Sequence, residues 1–175
     1  MSKVKFTLTR NVKSPVRGTK EAAGIDFFIP FYNSLFLQDL IIKNPNINVR
    51  YQIADDDLYI TLMPNSRILI PSGVRVSIDE GTALIAANKS GVSTKKGLVF
   101  TAQVVDSDYD GELHLGVANI SDMPVVIKTG DKLVQFVHTP VILSEVEEVT
   151  EDTVSEAHSE SERGAKGFGE GTGNN

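Results

Sequence analysis

Short apolar runs separated by turn residues are the feature that most restricts what this chain can fold into. Between residues 1 and 144, runs rich in Val, Ile, Leu, Thr and Phe alternate at close intervals with Gly, Pro, Asn and Asp. Residues 74–79, VRVSID, alternate apolar and polar side chains, which is the period of a half-buried strand. Many short strands of this kind predict an all-β fold with the architecture of a jelly-roll-like, distorted β-barrel.

Two segments interrupt the strand pattern. Residues 90–96, SGVSTKK, predict the one short helix of the fold, with Ser90 as its N-cap and Gly97 as its left-handed stop. Residues 33–61 contain a Pro-Asn break and three consecutive aspartates at positions 55–57. We interpret this segment as an insertion, for which an extra hairpin is one available structure.

The acidic residues are concentrated at the C-terminal end. The whole chain has 17 basic and 23 acidic residues, but residues 145–175 alone hold two basic and nine acidic ones. Residues 1–144 are therefore nearly neutral and lack the net basic charge that affinity for DNA or for an anionic membrane requires. Residues 145–162 have eight acidic residues and no Phe, Tyr or Trp. We therefore expect a β domain over 1–144 and, over 145–175, a flexible acidic arm with a glycine-rich end.

The composition excludes several classes of site. The chain has no cysteine and only three histidines, far apart in sequence, so thiolate chemistry and a zinc site with adjacent histidine ligands are excluded. The first residues, MSKVKFTLTR, lack the apolar core of a signal peptide, and no apolar run reaches the roughly 18 residues that cross a bilayer. We expect a cytoplasmic protein.

The segment TAQVVDSDYDGEL is the first candidate for chemistry. It predicts a β-hairpin with Asp106 at its mouth, Tyr109 at its tip and a second strand that begins at Glu112. A carboxylate at the end of an apolar strand could act as a general base toward water. The alternative is that Asp106 and Asp108 are ordinary turn residues.

Three further segments carry polar residues in informative places. Residues 89–91, KSG, open the predicted helix, where backbone N–H groups favour an anion, although Ser90 could simply be a cap. Asp26 and Gln135 lie within apolar segments. A buried carboxylate needs an N–H donor, a basic side chain or a hydrated cation, and a buried amide needs hydrogen bonds.

In this order the segments resemble the five motifs of the trimeric dUTP pyrophosphatase (dUTPase) family. The counterparts are, in order, AGIDF at 23–27, KSG at 89–91, VVDSDYDGE at 104–112, GDKLVQFV at 130–137 and RGAKGFGEGTG at 163–173. The match extends over nearly the whole chain. It implies a dUTPase-like β-clip fold and hydrolysis of dUTP to dUMP and pyrophosphate, which limits uracil in DNA and supplies dUMP for dTTP synthesis. It also implies Mg²⁺ as the cofactor and a homotrimer with shared active sites.

The resemblance implies a role for individual residues. Asp106 matches the base that activates the water attacking the α-phosphate, and Tyr109 matches the aromatic residue that packs on the deoxyribose and excludes a 2′-hydroxyl. Asp26 and Gln135 match groups that hold water on Mg²⁺. Phe168 matches the residue that stacks on uracil. The substrate-binding residues implied in this way are Lys89, Ser90, Gly91, Gln103, Val104, Val105, Tyr109, Gln135, Arg163, Phe168 and Gly169.

The sequence departs from the family pattern at several positions. Lys89 stands where the family has Arg, which keeps the charge and loses bidentate geometry. Gln103 stands where Gly is usual and could crowd the hairpin mouth. In the tail, either Glu170 replaces a phosphate-binding Ser or Thr172 takes over that role. The extra segment 33–61 is of a kind familiar in phage and viral members, in which case the host cytoplasm is the expected location.

Two other functions remain open at this point. A dCTP deaminase shares the fold but usually carries a Glu as acid and base in the hairpin region, where this chain has Asp106. The other alternative is an inactive relative that regulates a protein partner through residues 33–61, whose apolar and acidic side chains could form a binding surface. The presence of both Asp106 and Tyr109 favours an active enzyme.

Overall fold

The computed structural model describes residues 3–45, 49–54, 57–161 and 164. The chain divides into two compact units, Met1–Ile142 and Leu143–Asn175. The strands of the first unit are β1 (Lys5–Leu8), β2 (Val16–Arg17), β3 (Gly24–Phe27), β4 (Val49–Ala54), β5 (Asp57–Leu62), β6 (Arg67–Pro71), β7 (Val74–Ser77), β8 (Thr82–Asn88), β9 (Leu98–Phe100), β10 (Val104–Val105), β11 (His114–Asn119), β12 (Val125–Lys128) and β13 (Val134–Pro140). The helices are α1 (Ser34–Lys43) and α2 (Ser90–Lys96) in the first unit and α3 (Glu151–Ala157) in the second.

The strands form four antiparallel sheets. The largest has the order β10-β8-β13-β3-β2, two others have the orders β6-β11-β9 and β12-β5-β4, and β1 pairs with β7. The predicted all-β, jelly-roll-like fold is confirmed, but among the described strands no sheet closes into a barrel. The prediction of one short helix is wrong, because the described part of the chain contains three.

The core lies between the sheets of the first unit. Phe136 of β13 packs edge-on against Phe27 of β3, with ring centroids 4.8 Å apart, and against Phe100 of β9 at 6.1 Å. Leu115 and Val117 of β11 are also buried. The alternate residues of these strands supply the core, so the side chains between them face the opposite side of each sheet.

The segment 33–61 folds as a helix followed by a hairpin. Helix α1 begins after Asn33, whose side-chain oxygen accepts a hydrogen bond from the amide of Phe36 at 2.8 Å, and it buries Phe36 and Leu40. Strands β4 and β5 then pair in register, so the expected hairpin is present. The sequence does not predict this helix, because apolar residues occupy its exposed face as well and obscure the helical period. Two of the three aspartates, at positions 55 and 56, lie outside the described residues.

Helix α2 has the predicted bounds but a different start. Lys89 occupies the N-cap position, and Ser90 is the first helical residue, so Ser90 is not the predicted cap. The helix ends at Gly97, whose φ of 64° is left-handed, as the sequence predicts.

Helix α3 lies within the acidic segment for which the sequence predicts a flexible arm. No residue of the helix is buried, so packing does not explain it. Glu151 and Asp152 lie in its first turn, where negative side chains stabilise the positive end of the helix dipole. In the part of the chain that the structure describes, no helix has both the length and the apolar character that crossing a membrane requires.

Candidate active site

The loop that carries Asp106 and Tyr109 connects two different sheets. Strand β10 pairs with β8, so that Val105 lies opposite Leu84, whereas β11 pairs with β6 and β9. The prediction of a hairpin with a second strand from Glu112 is therefore wrong, since β10 and β11 are not paired and β11 begins at His114. Alternating apolar residues indicate where strands are but do not identify their partners. We refer to residues 106–113 as the 106–113 loop.

Two hydrogen bonds fold this loop back on itself. The amide of Tyr109 donates to the carbonyl of Asp106 at 3.2 Å, and the Tyr109 hydroxyl donates to the carbonyl of Glu112 at 3.1 Å. The ring crosses so close to Gly111 that a Cβ added there would lie 2.3 Å from the Tyr109 hydroxyl oxygen. A glycine is therefore required at position 111 for the tyrosine to take this position.

A cavity of about 180 Å³ opens beside the loop. Its lining consists of Ala102, Val104, Val105, Asp106, Tyr109, Leu113, His114 and Phe136. Val104 and Tyr109 are still 63% and 44% exposed, so the cavity is open on one side. An apolar lining with one carboxylate fits an uncharged planar ring better than a phosphate group.

Gln103 has a backbone role next to this cavity. Its carbonyl accepts a hydrogen bond from the amide of Ala86 at 2.7 Å, which extends the pairing of β10 with β8 by one more bond. Its side chain is exposed, and the residue is not part of the cavity lining.

Asp26 is the centre of a second group of polar side chains. It is only 4% exposed, and its carboxylate forms ion pairs with Lys89 and with Lys132, the latter at 3.0 Å. Burial alone would raise the pKa of Asp26, but the hydrogen bonds from the two lysines lower it below its usual value. The carboxylate is therefore ionised, and the group of three carries one net positive charge.

Gln135 lies beside Asp26 on the neighbouring strand. The register of β13 and β3 places the two residues opposite each other, and the Gln135 side-chain amide donates to the carbonyl of Asn88 at 3.3 Å. A Cβ on Gly24 would come within 2.3 Å of the Gln135 side-chain oxygen. The two residues that the sequence analysis linked to Mg²⁺ are thus brought together, and Ser90 and Gly91 follow directly after Lys89 with both residues exposed.

The Asp106 cavity and the Asp26 group lie beside the same sheet but at different positions along strand β8. Val105 is opposite Leu84 of β8, and Gln135 is opposite Ala87 of the same strand. Three residues along a strand correspond to about 10 Å. Within one chain, the Asp106 cavity and the Asp26 group are therefore two separate groups of residues. Arg163, Phe168, Gly169, Glu170 and Thr172 lie outside the described residues.

The described residues do not offer a site for direct binding of a metal ion. Across 3–45, 49–54, 57–161 and 164, no group of three or more Asp, Glu or His side chains could hold a metal ion. The Asp26 carboxylate is already paired with two ammonium groups. These residues fit a Mg²⁺ that is bound by phosphate oxygens and water, which is how this ion is often held.

The sequence alone does not identify several residues of the site. Lys132 precedes β13, and no spacing in the sequence connects it with Asp26. Leu113 and Phe136 have the pattern of ordinary core residues. His114 sits between two apolar residues at the start of β11, and its Nε2 is buried without a hydrogen-bond partner.

Comparison with known proteins identifies the family. The family model described as dUTPase matches residues 53–172. A Pseudomonas aeruginosa protein named deoxyuridine 5'-triphosphate nucleotidohydrolase is 34% identical over 149 residues, which cover 83% of this chain and 88% of that protein. A protein of the same name from Shewanella piezotolerans is 37% identical over 119 residues, covering 66% of this chain and 74% of that protein.

Solved structures give the same fold. A mutant of the Staphylococcus bacteriophage 80alpha dUTPase with dUpNHpp superposes with a TM-score of 0.67 at 24% identity, covering 95% of this chain and 96% of that one. A mutant dUTPase from phage phi11 of S. aureus, described for its coordination of a structural Mg(II) ion, has a TM-score of 0.64 at 24% identity, with 85% and 97% covered. At these identities the likeness supports the fold alone.

Proposed function

Because the chain belongs to the dUTPase family, we propose that it hydrolyses dUTP to dUMP and pyrophosphate. The single observation that carries the proposal is the open, mostly apolar cavity, whose lining includes one carboxylate, Asp106, and the aromatic rings of Tyr109 and Phe136. Such a cavity can hold an uncharged base and place a carboxylate beside the first phosphate of the attached chain.

The cavity would select the nucleoside. Uracil would lie against Leu113 and Phe136 and be read by the backbone of Val104–Val105, with Gln103 at the mouth. The Tyr109 ring would pack on the deoxyribose and occupy the space that a 2′-hydroxyl needs. The hydrogen bond from Tyr109 to the Glu112 carbonyl supports this role, since it fixes the ring across the loop.

The Asp26 group would receive the triphosphate. Lys89 and Lys132 supply positive charge, and Ser90 and Gly91 supply hydrogen-bond donors beside them. When bound, Mg²⁺ would neutralise charge that develops on the leaving pyrophosphate. Asp26 and Gln135 would contact its bound waters rather than the ion itself.

Asp106 would act on the attacking water. Its carboxylate accepts a proton from the water, the water oxygen forms a bond to the α-phosphorus, and the bond from this phosphorus to the bridging oxygen breaks, which releases pyrophosphate. The exposed position of Asp106 supports this role, because a water molecule and a phosphate can both reach it.

Complete sites would require more than one chain. Because the two groups of residues are about 10 Å apart along β8, we propose that neighbouring chains of a homotrimer contribute different parts of each site. Arg163, Phe168 and Gly169 would then close over the bound nucleotide, with Arg163 on the γ-phosphate and Phe168 on the base. Either Glu170 or Thr172 would occupy the position in the tail where the family pattern has a phosphate-binding Ser. A cytoplasmic location, that of the host for a phage or viral protein, stays a prediction.

The test compares nucleotides side by side. Pyrophosphate release is measured from dUTP, dCTP, dTTP and UTP, and ammonia release from dCTP is measured in parallel. We expect turnover of dUTP alone. Ammonia release from dCTP would instead identify a deaminase, and no turnover of any nucleotide by a folded protein would favour a regulatory binding protein.

The role of Asp106 as the general base is tested by Asp106→Asn, which retains the shape of the side chain but removes its ability to accept a proton. We expect kcat to fall about 100-fold or more with KM for dUTP nearly unchanged. Asp108→Asn, two residues along the same loop, is the matched control. Equal turnover by Asp106→Asn and the wild type would remove Asp106 from the mechanism.

A further inference from the structure

Arg10, which lies 102 residues before Glu112 in sequence, contacts the 106–113 loop directly. Its Nε donates to Glu112 Oε1 at 2.7 Å, and its Nη2 donates to Glu112 Oε2 at 2.9 Å. The Arg10 and Glu112 side chains are only 20% and 16% exposed. A bidentate arginine–carboxylate pair with this degree of burial is among the stronger polar contacts in proteins.

Glu112 in turn fixes the shape of the loop. Its Oε1 also accepts the amide of Gly73 at 2.6 Å, and its own carbonyl accepts the Tyr109 hydroxyl. Burial alone would raise the pKa of Glu112, but the hydrogen bonds from Arg10 and Gly73 lower it below its usual value. The ionised side chain of Glu112 therefore fixes the position of this residue, and its carbonyl in turn holds the Tyr109 hydroxyl.

The same arginine also contacts helix α1. Arg10 Nη2, which donates to Glu112, donates as well to Asp39 Oδ2 at 2.5 Å. The guanidinium carbon lies 5.9 Å from the centre of the Phe36 ring. One guanidinium thus pairs with two carboxylates, Glu112 of the loop and Asp39 of the segment 33–61.

Helix α1 is itself held to the sheet that contains β11, the strand that follows the 106–113 loop. The Asn44 side-chain amide donates to the carbonyls of Leu40 and Leu69 at 2.7 and 2.9 Å, and its side-chain oxygen accepts the Leu69 amide at 2.8 Å. Leu69 lies on β6, the partner of β11. Besides its buried Phe36 and Leu40, the helix is therefore held by hydrogen bonds between the Asn44 side chain and the backbone of Leu69 and by the ion pair of Asp39 with Arg10.

We propose that Arg10 is a positioning residue for the 106–113 loop and that Asp39 shares it, so that helix α1 and the nucleoside cavity are coupled. Arg10 acts through Glu112, which holds the Tyr109 hydroxyl and thereby the ring beside the cavity. A shift of α1 that withdraws Asp39 changes how firmly Arg10 holds Glu112. The consequence for sugar selection rests on the proposed function, whereas the mechanical coupling does not.

The first test measures the loop without any nucleotide. Amide hydrogen exchange of residues 106–113 is followed in the wild type, Arg10→Lys and Asp39→Asn. We expect exchange to become roughly tenfold faster in Arg10→Lys, which loses the bidentate contact, and roughly threefold faster in Asp39→Asn. Arg75→Lys is the matched control, because Arg75 pairs with Asp110 of the same loop at an exposed position, and we expect less than a twofold change there.

A double-mutant cycle tests whether Asp39 acts through Arg10. Asp39→Asn should accelerate exchange in the wild-type background and have no further effect in the Arg10→Lys background. Unchanged exchange in a folded Arg10→Lys protein would overturn the positioning role. Equal effects of Asp39→Asn in both backgrounds would overturn the coupling.

The second test uses catalysis. If dUTP is the substrate, the ratio of kcat/KM for dUTP to that for UTP should fall about fivefold in Arg10→Lys and less in Asp39→Asn, with thermal stability followed for each variant. A lower melting temperature with an unchanged ratio would indicate a purely structural pair and would overturn the link to sugar selection. If the wild type does not hydrolyse dUTP, the proposed function fails, and the exchange results still decide the coupling.

Discussion

Replacement of Gly111 by Ala is the sharpest test of how the 106–113 loop works. The added Cβ would lie 2.3 Å from the Tyr109 hydroxyl oxygen, 2.5 Å from its Cζ and 3.1 Å from its Cε1. An aromatic ring cannot bend away as an aliphatic chain does, so the whole tyrosine side chain must rotate. The rotation breaks its hydrogen bond to the Glu112 carbonyl and removes the ring from the cavity wall.

The change in stability should nevertheless be small. Loss of one partly exposed hydrogen bond costs about 0.5–1.5 kcal/mol, and replacing glycine by alanine offsets about 0.4–1 kcal/mol of this through the unfolded chain. Gly111 does not have a positive φ, so no backbone strain is added. The free energy of unfolding should change by less than about 1 kcal/mol, and the melting temperature by less than about 4 °C.

The effect on sugar selection should exceed the effect on the free energy of unfolding. We expect the ratio of kcat/KM for dUTP to that for UTP to fall about tenfold, which is 1.4 kcal/mol. Gly18→Ala is the matched control, because a Cβ there meets no atom within 4 Å. If Gly111→Ala keeps both the stability and the sugar discrimination of the wild type, the Tyr109 ring does not exclude the 2′-hydroxyl and the reasoning is refuted.

Three further outcomes are expected. Tyr109→Ala should narrow the difference between dUTP and UTP at least as much as Gly111→Ala, whereas equal discrimination by mutant and wild type would assign the selection to another group. A chain that ends after Glu162 should assemble normally by light scattering and hydrolyse dUTP slowly, and Phe168→Ala should have a milder effect of the same kind; full activity of the truncated chain would show that residues 163–175 take no part. Folding lowers the pKa of both Asp26 and Glu112 from their ordinary values of 3.8 and 4.5, so their contribution to stability is present above these values and should be lost as the pH falls below them, which thermal unfolding at pH 3–7 measures.

The sequence predicts the fold class and the local structure well, because both depend on neighbours along the chain. The alternation in residues 74–79 corresponds to β7, and the end of α2 at Gly97 follows from the backbone freedom of glycine. The sequence does not predict helix α1, since its exposed residues, among them Ile41 and Ile42, are as apolar as its buried ones.

The site could be predicted only as separate residues. Asp26 clearly needed a partner, but its partners Lys89 and Lys132 are brought to it by the pairing of β3, β13 and β8. Likewise, Arg10 and Glu112 are 102 residues apart. No period or spacing in a single sequence specifies which of several basic residues meets which carboxylate across such a distance.

The two ammonium groups beside Asp26 have a consequence for how fast a product could leave. Two unopposed lysines would hold a pyrophosphate nearly as firmly as they hold the triphosphate, and tight binding of both does not accelerate turnover. The buried carboxylate cancels one of these charges at neutral pH, since its pKa lies below its usual value. If the proposed function holds, the group would draw in a polyanion and still let a shorter one dissociate, so Asp26 would set the residence time of pyrophosphate.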